Sequence, residues 1–136
     1  MINQDNINTI MKFMPPTQRT AFLQALNGSE YKYFEEVVNR LNEVIKSAPA
    51  IYGTDGLKTD EIKPVLHYFW NNIDIYVVEI DTTGCNQHFG YTSLGLGYFE
   101  GGYVELDYLF EELPLLNLDL HFTPKTISEY KRQYEG

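Results

Sequence analysis

Between Pro64 and Pro124 the chain contains neither lysine nor arginine. The same 61 residues contain nine carboxylates, so the whole formal charge of −9 falls within this segment and the rest of the chain is neutral. A segment with charge of one sign projects a negative field, which attracts cationic partners and repels nucleic acid. We therefore expect a basic protein surface as the partner, and no direct binding of nucleic acid.

Other shortages exclude further classes of protein. With one cysteine, Cys85, the chain cannot form an internal disulfide. No apolar run approaches the ~20 residues of a membrane-spanning helix, and the first residues lack the pattern of a signal peptide. We therefore expect a cytoplasmic protein without membrane contact. With 136 residues, of which 43% are hydrophobic, residues 1–136 should form a single domain with its own core.

Helical periodicity dominates the first part of the chain. Helices are expected over residues 7–14, from Thr17 to the Asn-Gly pair at 27–28, and from Ser29 to residue 47, with Thr17 and Ser29 as caps. The third helix has an apolar stripe made of Phe34, Val37, Val38, Leu41, Val44 and Ile45. Its opposite side is polar, so this helix should lie on a core with a solvated outer face.

After Pro64 the apolar and polar residues alternate with a period of two, which predicts strands. The expected strands cover residues 65–70, 73–80, 87–94, 103–105 and 116–122. The Asn71-Asn72 pair should form the hairpin turn between the first two strands. Asp107 is expected to cap a short helix that ends at Glu112, and the capping box at 126–129 should start a terminal helix.

The predicted fold is therefore α+β, with N-terminal helices packed on one face of an antiparallel sheet of about four or five strands. A short C-terminal helix follows. The helical part covers residues 1–50, the acidic sheet part 63–124 and the terminal helix 126–134. The Gly-rich turn at 52–56 is interpreted as a hinge between the first two parts, and residues 60–61 as the start of one further helical turn.

Candidate catalytic residues lack the context that their chemistry needs. Asp119 and His121 would share one side of the last strand and could act as a general base or half of a metal site, although solvent faces of strands are routinely polar. The histidines lack the spacing of a zinc motif, Cys85 has no cationic neighbour in sequence, and the G-x-G at 95–97 lacks the third glycine of a dinucleotide loop. We therefore assign no catalytic, metal-binding or cofactor-binding residue.

Four tyrosines lie among the carboxylates Glu100, Glu105 and Asp107 of the acidic segment, namely Tyr91, Tyr98, Tyr103 and Tyr108. Tyrosine is favoured at protein interfaces, and aromatic rings beside acids can receive Arg or Lys side chains through cation–π and ionic contacts. The alternative is that these tyrosines simply pack on a half-buried sheet. The predicted partner-binding residues are Glu100, Tyr103, Glu105, Asp107, Tyr108, Glu111 and Glu112.

Several short segments occur in a familiar order and spacing. They are YGTDGL at 52–57, VLHYF at 65–69, DIYVVEID at 74–81 and LDLHFTP at 118–124. Together they resemble a bacterial family catalogued as domain of unknown function 2958. Such proteins are typically encoded on plasmids, integrative elements and phages, often near antirestriction or DNA-processing genes, and the resemblance implies that context here.

The resemblance supplies no functional residues, because the family has no established activity. His67 matches the family pattern, whereas the position of His121 is usually tyrosine and Cys85 lies outside the pattern. The departures at His121 and Cys85 weigh against a metal site or a nucleophile at these positions.

Three hypotheses for the function follow. The first is a non-enzymatic acidic binding protein of a mobile element, an anti-defence inhibitor that occupies a nucleic-acid-binding surface of a host protein by mimicking nucleic acid. The second is a small metal-assisted hydrolase or nuclease-like enzyme, and the third is a homodimeric accessory domain. Convergence of three or more side chains in one cleft would favour the enzyme, the candidates being His67, Asp74, Glu79, Asp119 and His121.

Overall fold

The computed structural model describes residues 3–136. Its helices are α1 (Gln4–Phe13), α2 (Pro16–Leu26), α3 (Tyr31–Ser47), α4 (Leu106–Glu112) and α5 (Ile127–Glu135). Its strands are β1 (Leu66–Trp70), β2 (Ile73–Glu79), β3 (Gln87–Ser93), β4 (Glu100–Glu105) and β5 (Asn117–Leu118). The strands form one antiparallel sheet in the order β4-β3-β2-β1-β5, so the predicted α+β class and the five-stranded antiparallel sheet are confirmed. Within residues 3–136, none of these helices combines the length and the apolar character that crossing a membrane would require.

The larger core lies between the sheet and helices α1 to α4. Val38 and Leu41 of α3 are buried in it together with Tyr68 of β1 and Val77 of β2. The Tyr68 hydroxyl donates a hydrogen bond to the carbonyl oxygen of Phe13, which ties the end of α1 to the sheet. The apolar stripe predicted for the third helix therefore faces this core, and we call this side of the sheet the helix side.

The opposite face of the sheet is covered in part by α5, and we call it the α5 side. Its centre is an aromatic cluster in which the Tyr76 ring of β2 stacks on Tyr130 of α5, with 4.2 Å between the ring centroids. The N–H of Ile127 donates to the carbonyl oxygen of Ile62 at 2.8 Å, which places the start of α5. The predicted capping box is present, and both of its reciprocal hydrogen bonds between residues 126 and 129 form.

Two predicted helix caps are wrong by one or two residues. α2 begins at Pro16, so Thr17 lies inside its first turn; proline suits this position because its ring presets a helical φ and no N–H is needed there. α3 begins after Glu30, because Ser29 belongs to the turn that connects α2 to α3.

Two further local predictions differ from the structure. Asp107 lies within the first turn of α4 instead of capping it, because the strand β4 runs directly into the helix at Leu106. The expected helical turn at 60–61 does not form; residues 51–56 and 59–60 are turns, and residues 55–61 are exposed.

The last strand is much shorter than the predicted segment 116–122. The side-chain amide of Gln18 accepts from the Leu118 N–H at 2.7 Å and donates to the Leu118 carbonyl oxygen at 2.9 Å. Gln18 thus takes the place of a neighbouring strand and closes this edge of the sheet. Beyond Leu118 the Asp119 carboxylate accepts the N–H of His121 at 2.9 Å, a local turn that bends the chain out of the sheet.

The burial of the α3 stripe predicts the effect of truncating Leu41. Leu41→Ala should lower the free energy of unfolding by about 2–5 kcal/mol, because it leaves a cavity in the larger core. Asn39→Ala, at an exposed position of the same helix, is the control and should change little. Urea unfolding of both variants checks this. A loss of less than about half a kcal/mol for Leu41→Ala would contradict the packing described above.

Candidate binding site on the acidic half of the sheet

The nine carboxylates between residues 64 and 124 divide into two groups. Four accept hydrogen bonds that tie the fold together: Asp74 and Asp119 from His67, Glu79 from the turn at 52–54, and Asp81 from Thr83 and Gln87. The other five are exposed on β4 and α4, and we call them the acidic strip: Glu100, Glu105, Asp107, Glu111 and Glu112. Two of these also accept a hydrogen bond, Glu105 from Gln87 and Asp107 from Asn86. Within residues 3–136 none of the five forms an ion pair, so their charge is uncompensated.

The two tyrosines predicted to bind a partner lie on different sides of the sheet. Tyr103 of β4 is 61% exposed and packs edge-on against Phe89 on the α5 side. Tyr108 is exposed on α4, whose buried residue Phe110 enters the core on the helix side. All seven predicted residues are therefore exposed on consecutive elements, and Tyr103, Glu105 and Tyr108 line one cavity of about 410 Å³.

Glu79, at the end of β2, is a buried carboxylate with three hydrogen-bond donors. It is 4% exposed. Its Oε1 accepts the Tyr52 N–H at 2.9 Å, and its Oε2 accepts the Thr54 N–H at 3.0 Å and the Thr54 hydroxyl. Tyr52 has a φ of 69°, a conformation that non-glycine residues rarely adopt. The carboxylate therefore holds the turn at 51–56 against the sheet and stabilises its unusual backbone.

An irregularity in β2 explains why Glu79 faces this turn. Strict alternation would direct Glu79 to the helix side, with Ile75 and Val77. A register shift between Val77 and Glu79 instead places Glu79 opposite Phe89. Phe89 shares a side of β3 with Tyr91, which packs in the α5-side cluster. A β-bulge of this kind re-aims a side chain at the cost of one regular pair.

A cavity of about 340 Å³ lies between this turn and the sheet. We call it the Glu79 cavity; its polar and aromatic lining comes from Tyr52, Thr54, Asp55, Glu79, Phe89, Tyr91 and Tyr103. Tyr52 of the turn and Tyr103 of β4 both line the cavity, and the phenol group of Tyr52 raises the pKa of Tyr103. The same two tyrosines also line a neighbouring cavity of about 410 Å³ that reaches Cys85.

The charge of Glu79 acts across its cavity. Burial raises the pKa of Tyr91, and the negative charge of Glu79 raises it further. The pKa of Tyr103 is raised chiefly by the phenol group of Tyr52, and the charge of Glu79 raises it further. Both phenol groups thus experience a negative field from the cavity floor, and such a field favours a positive ligand there.

A second cluster on the α5 side surrounds His67 of β1. The Nε2 of His67 lies 2.8 Å from the Asp74 carboxylate and its Nδ1 lies 3.1 Å from that of Asp119. Its ring stacks on Tyr76 with 4.6 Å between centroids. Burial lowers the pKa of His67, but the hydrogen bonds that it donates to Asp74 and Asp119, together with their charges, outweigh burial and leave the pKa above its usual value of 6.5. The protonated imidazolium is the form that satisfies both carboxylates.

Three of the five side chains named for an enzyme therefore converge, namely His67, Asp74 and Asp119. In this arrangement both ring nitrogens donate to carboxylates, and an imidazolium has no lone pair with which to accept a proton or bind a metal ion. Within residues 3–136, no group of three or more His, Cys, Asp or Glu side chains has a geometry suited to a metal ion. The cluster thus links β1, β2 and the turn after β5 instead of presenting a general base.

Asp119 and His121 were expected on one side of the last strand, but they do not share a strand face. The strand ends at Leu118, and the Asp119 carboxylate turns toward His67. The His121 ring lies against Tyr33 of α3, whose hydroxyl is 2.9 Å from its Nε2. The side chains of Asp119 and His121 therefore contact different residues and do not form one site.

Sequence reasoning missed the role of Glu79. A sequence-level clue exists, because Glu79 is a lone carboxylate within an otherwise apolar strand core, Tyr76 to Ile80. Carboxylates are almost never fully buried unless they are paired or hydrogen-bonded. The clue predicts a buried acceptor, but it does not identify the turn that supplies the donors.

Comparisons of the chain with protein-family models, with curated proteins and with solved structures gave no match. The resemblance to domain of unknown function 2958 therefore stays an expectation. The proposals below rest on the charge, burial and hydrogen bonding of the described residues.

The carboxylate contacts of His67 predict a specific pH dependence of stability. The folded-state pKa of His67 lies above the unfolded value, so its stabilising contribution is complete below about pH 6.5 and is lost as the pH rises through the folded pKa. The loss of stability in His67→Gln, measured by urea unfolding against the wild type, should therefore be larger at pH 5.5 than at pH 9.

His88 provides a contrast of opposite sign. Burial lowers the pKa of His88, and its Nδ1 accepts the N–H of Asp81 at 3.0 Å, so the neutral ring is favoured in the fold. The stabilising contribution of His88 should fall as the pH drops below about 6.5, and His88→Gln should cost less at pH 5.5 than at pH 9. The same pH trend in both variants would contradict the assignment for His67.

Proposed function

We propose that the protein is a non-enzymatic binding protein that engages a basic surface of a partner protein through its acidic strip. The observation that carries this proposal is the group of five exposed carboxylates on β4 and α4 that no cation compensates within residues 3–136. A surface that carries charge of one sign attracts an oppositely charged partner and raises the rate at which the two proteins associate. It opposes the approach of phosphate anions to the same surface.

Exposed tyrosines beside the strip supply the apolar part of such an interface. Tyr103 and Tyr108 are each more than half exposed, and each lies within a few residues of strip carboxylates. Aromatic side chains of this kind dominate binding energy when a partner covers them, whereas peripheral charges mainly set the association rate. The strip and the tyrosines therefore have complementary roles in the proposed interface.

The finer proposal concerns the identity of the partner. The resemblance to a family encoded on mobile elements supports a role for the protein in the cytoplasm as an anti-defence inhibitor. In this role the strip carboxylates would occupy positions on a host protein that otherwise bind nucleic-acid phosphates. The uncompensated charge of the strip supports such mimicry, because a phosphate-binding surface is rich in Lys and Arg.

The hydrolase alternative has one supporting observation, the convergence of His67, Asp74 and Asp119. We place it second, because both nitrogens of the imidazole are occupied by carboxylates. The homodimer alternative is tested by size-exclusion chromatography at low and high salt, since self-association through exposed aromatics should persist at high salt.

Neutralising the strip should slow the association of a basic probe. The probe is a fluorescein-labelled peptide in which arginine alternates with serine and glycine, and stopped-flow anisotropy measures its association at low and physiological ionic strength. The strip variant carries Glu100→Gln, Glu105→Gln, Glu111→Gln and Glu112→Gln. Its association rate at low salt should fall about tenfold, and the salt dependence should flatten, because electrostatic steering is reduced.

A matched control removes the same amount of charge from the rest of the chain. It carries Glu30→Gln, Glu36→Gln, Glu43→Gln and Glu61→Gln, all at exposed positions. The control should keep nearly the wild-type association rate, and duplex DNA should not bind to any of the three proteins at physiological salt. Equal losses in the two variants would show that net charge alone governs binding, and an unaffected strip variant would place the contact elsewhere.

A further inference from the structure

We propose that the Glu79 cavity receives one arginine side chain of the basic partner and is the specific anchor of the complex. This inference rests on the proposed binding of a basic partner and names the group that the partner inserts. It assigns to the cavity a role distinct from that of the acidic strip, because the strip is solvated and the cavity is enclosed by the turn at 51–56.

The first argument is the charge at the floor of the cavity. Glu79 is 4% exposed, and within residues 3–136 it forms no ion pair. The donors from Tyr52 and Thr54 hydrogen-bond the carboxylate, yet they bring no formal positive charge. A buried negative charge without a counter-charge attracts a cation more strongly than a solvated one does, because water screens it less.

The second argument is the aromatic lining. Phe89 and Tyr91 of β3, Tyr103 of β4 and Tyr52 of the turn surround the space above the carboxylate. Tyr52 and Tyr103 are both mostly exposed, so their rings are accessible to a partner at the mouth of the cavity. Aromatic faces are negative, and a cation held over them gains cation–π attraction in addition to the attraction of Glu79.

The third argument favours arginine over lysine. A carboxylate offers about four acceptor positions, and three donors already occupy Glu79, so about one position remains. An ammonium group is compact and strongly hydrated, and it would lose its water for this single acceptor. A guanidinium is flat and weakly hydrated, and it can stack on the rings while donating to Glu79 and to the phenol oxygens of Tyr52 and Tyr103.

Anionic ligands are disfavoured by the same features. A phosphate or carboxylate in the cavity would face the buried charge of Glu79, and no Lys or Arg of residues 3–136 lines the cavity to offset it. The partner group must therefore be positive, and the open mouth beside Tyr52 and Tyr103 allows it to arrive on a side chain.

The test uses two small probes that differ only in charge. N-acetyl-arginine-methylamide and its neutral citrulline counterpart are titrated into the full chain, and backbone amide shifts are followed by NMR. The arginine probe should shift the amides of Thr54, Phe89 and Gly102, which line the cavity. The citrulline probe should not, and the lysine analogue should bind more weakly than arginine.

Two exposed tyrosines give a matched pair of variants. Tyr103→Ala should weaken binding of the arginine probe about fivefold and should speed dissociation of the arginine-containing peptide. Tyr98→Ala removes an equally exposed ring, 62% against 61%, that does not line the cavity, and should change neither quantity. Both side chains are mostly exposed, so neither variant needs to disturb the fold.

The possible results of these experiments distinguish failure of the cavity proposal from failure of the proposed function. Equal binding of the arginine and citrulline probes, or no effect of Tyr103→Ala, overturns the cavity proposal even if the peptide still binds through the acidic strip. Failure of the peptide to bind wild-type protein at low salt overturns the proposed function itself. Glu79→Gln adds a check where its NMR spectrum shows a retained fold, because loss of the charge should abolish the preference for arginine over citrulline.

Discussion

The buried carboxylate of Glu79 is the interaction on which the acidic half of the molecule depends. A carboxylate in this position is stable only when donors replace its lost water, and the turn at 52–54 supplies all three. The need for these donors holds Tyr52 in a positive-φ conformation and draws the turn over the sheet. The cavity lies between this turn and the aromatic face of the sheet, with the Glu79 carboxylate at its floor.

Most of the fold could be predicted from local sequence patterns, because each pattern involves residues that are close together in the chain. The stripe of α3, the hairpin between β1 and β2, and the capping box of α5 depend on periodicity and on short motifs. The length of β5 could not be predicted in this way, because the side chain that closes the edge at Leu118 is Gln18, one hundred residues earlier. The pattern of residues 116–122 alone favours a full strand.

The candidate site was predicted less completely, for the same physical reason. Exposure of the acidic strip follows from its composition, since uncompensated carboxylates stay in water. The position of Glu79 depends on the bulge after Val77, which is a property of the pairing between β2 and β3 and not of either strand alone. The partners of His67 likewise come from β2 and from the turn after β5, so no spacing in the sequence reveals them.

The division of the carboxylates explains how the fold tolerates charge of one sign over so long a segment. The carboxylates of the strip are exposed, where water and salt screen repulsion beyond about 8–10 Å. Asp74 and Asp119 share the imidazolium of His67, and Glu79 is stabilised by three donors. Only Glu79 is both buried and without a counter-charge within residues 3–136. A partner cation can therefore gain most at this position, while the strip contributes mainly to the rate at which the partner arrives.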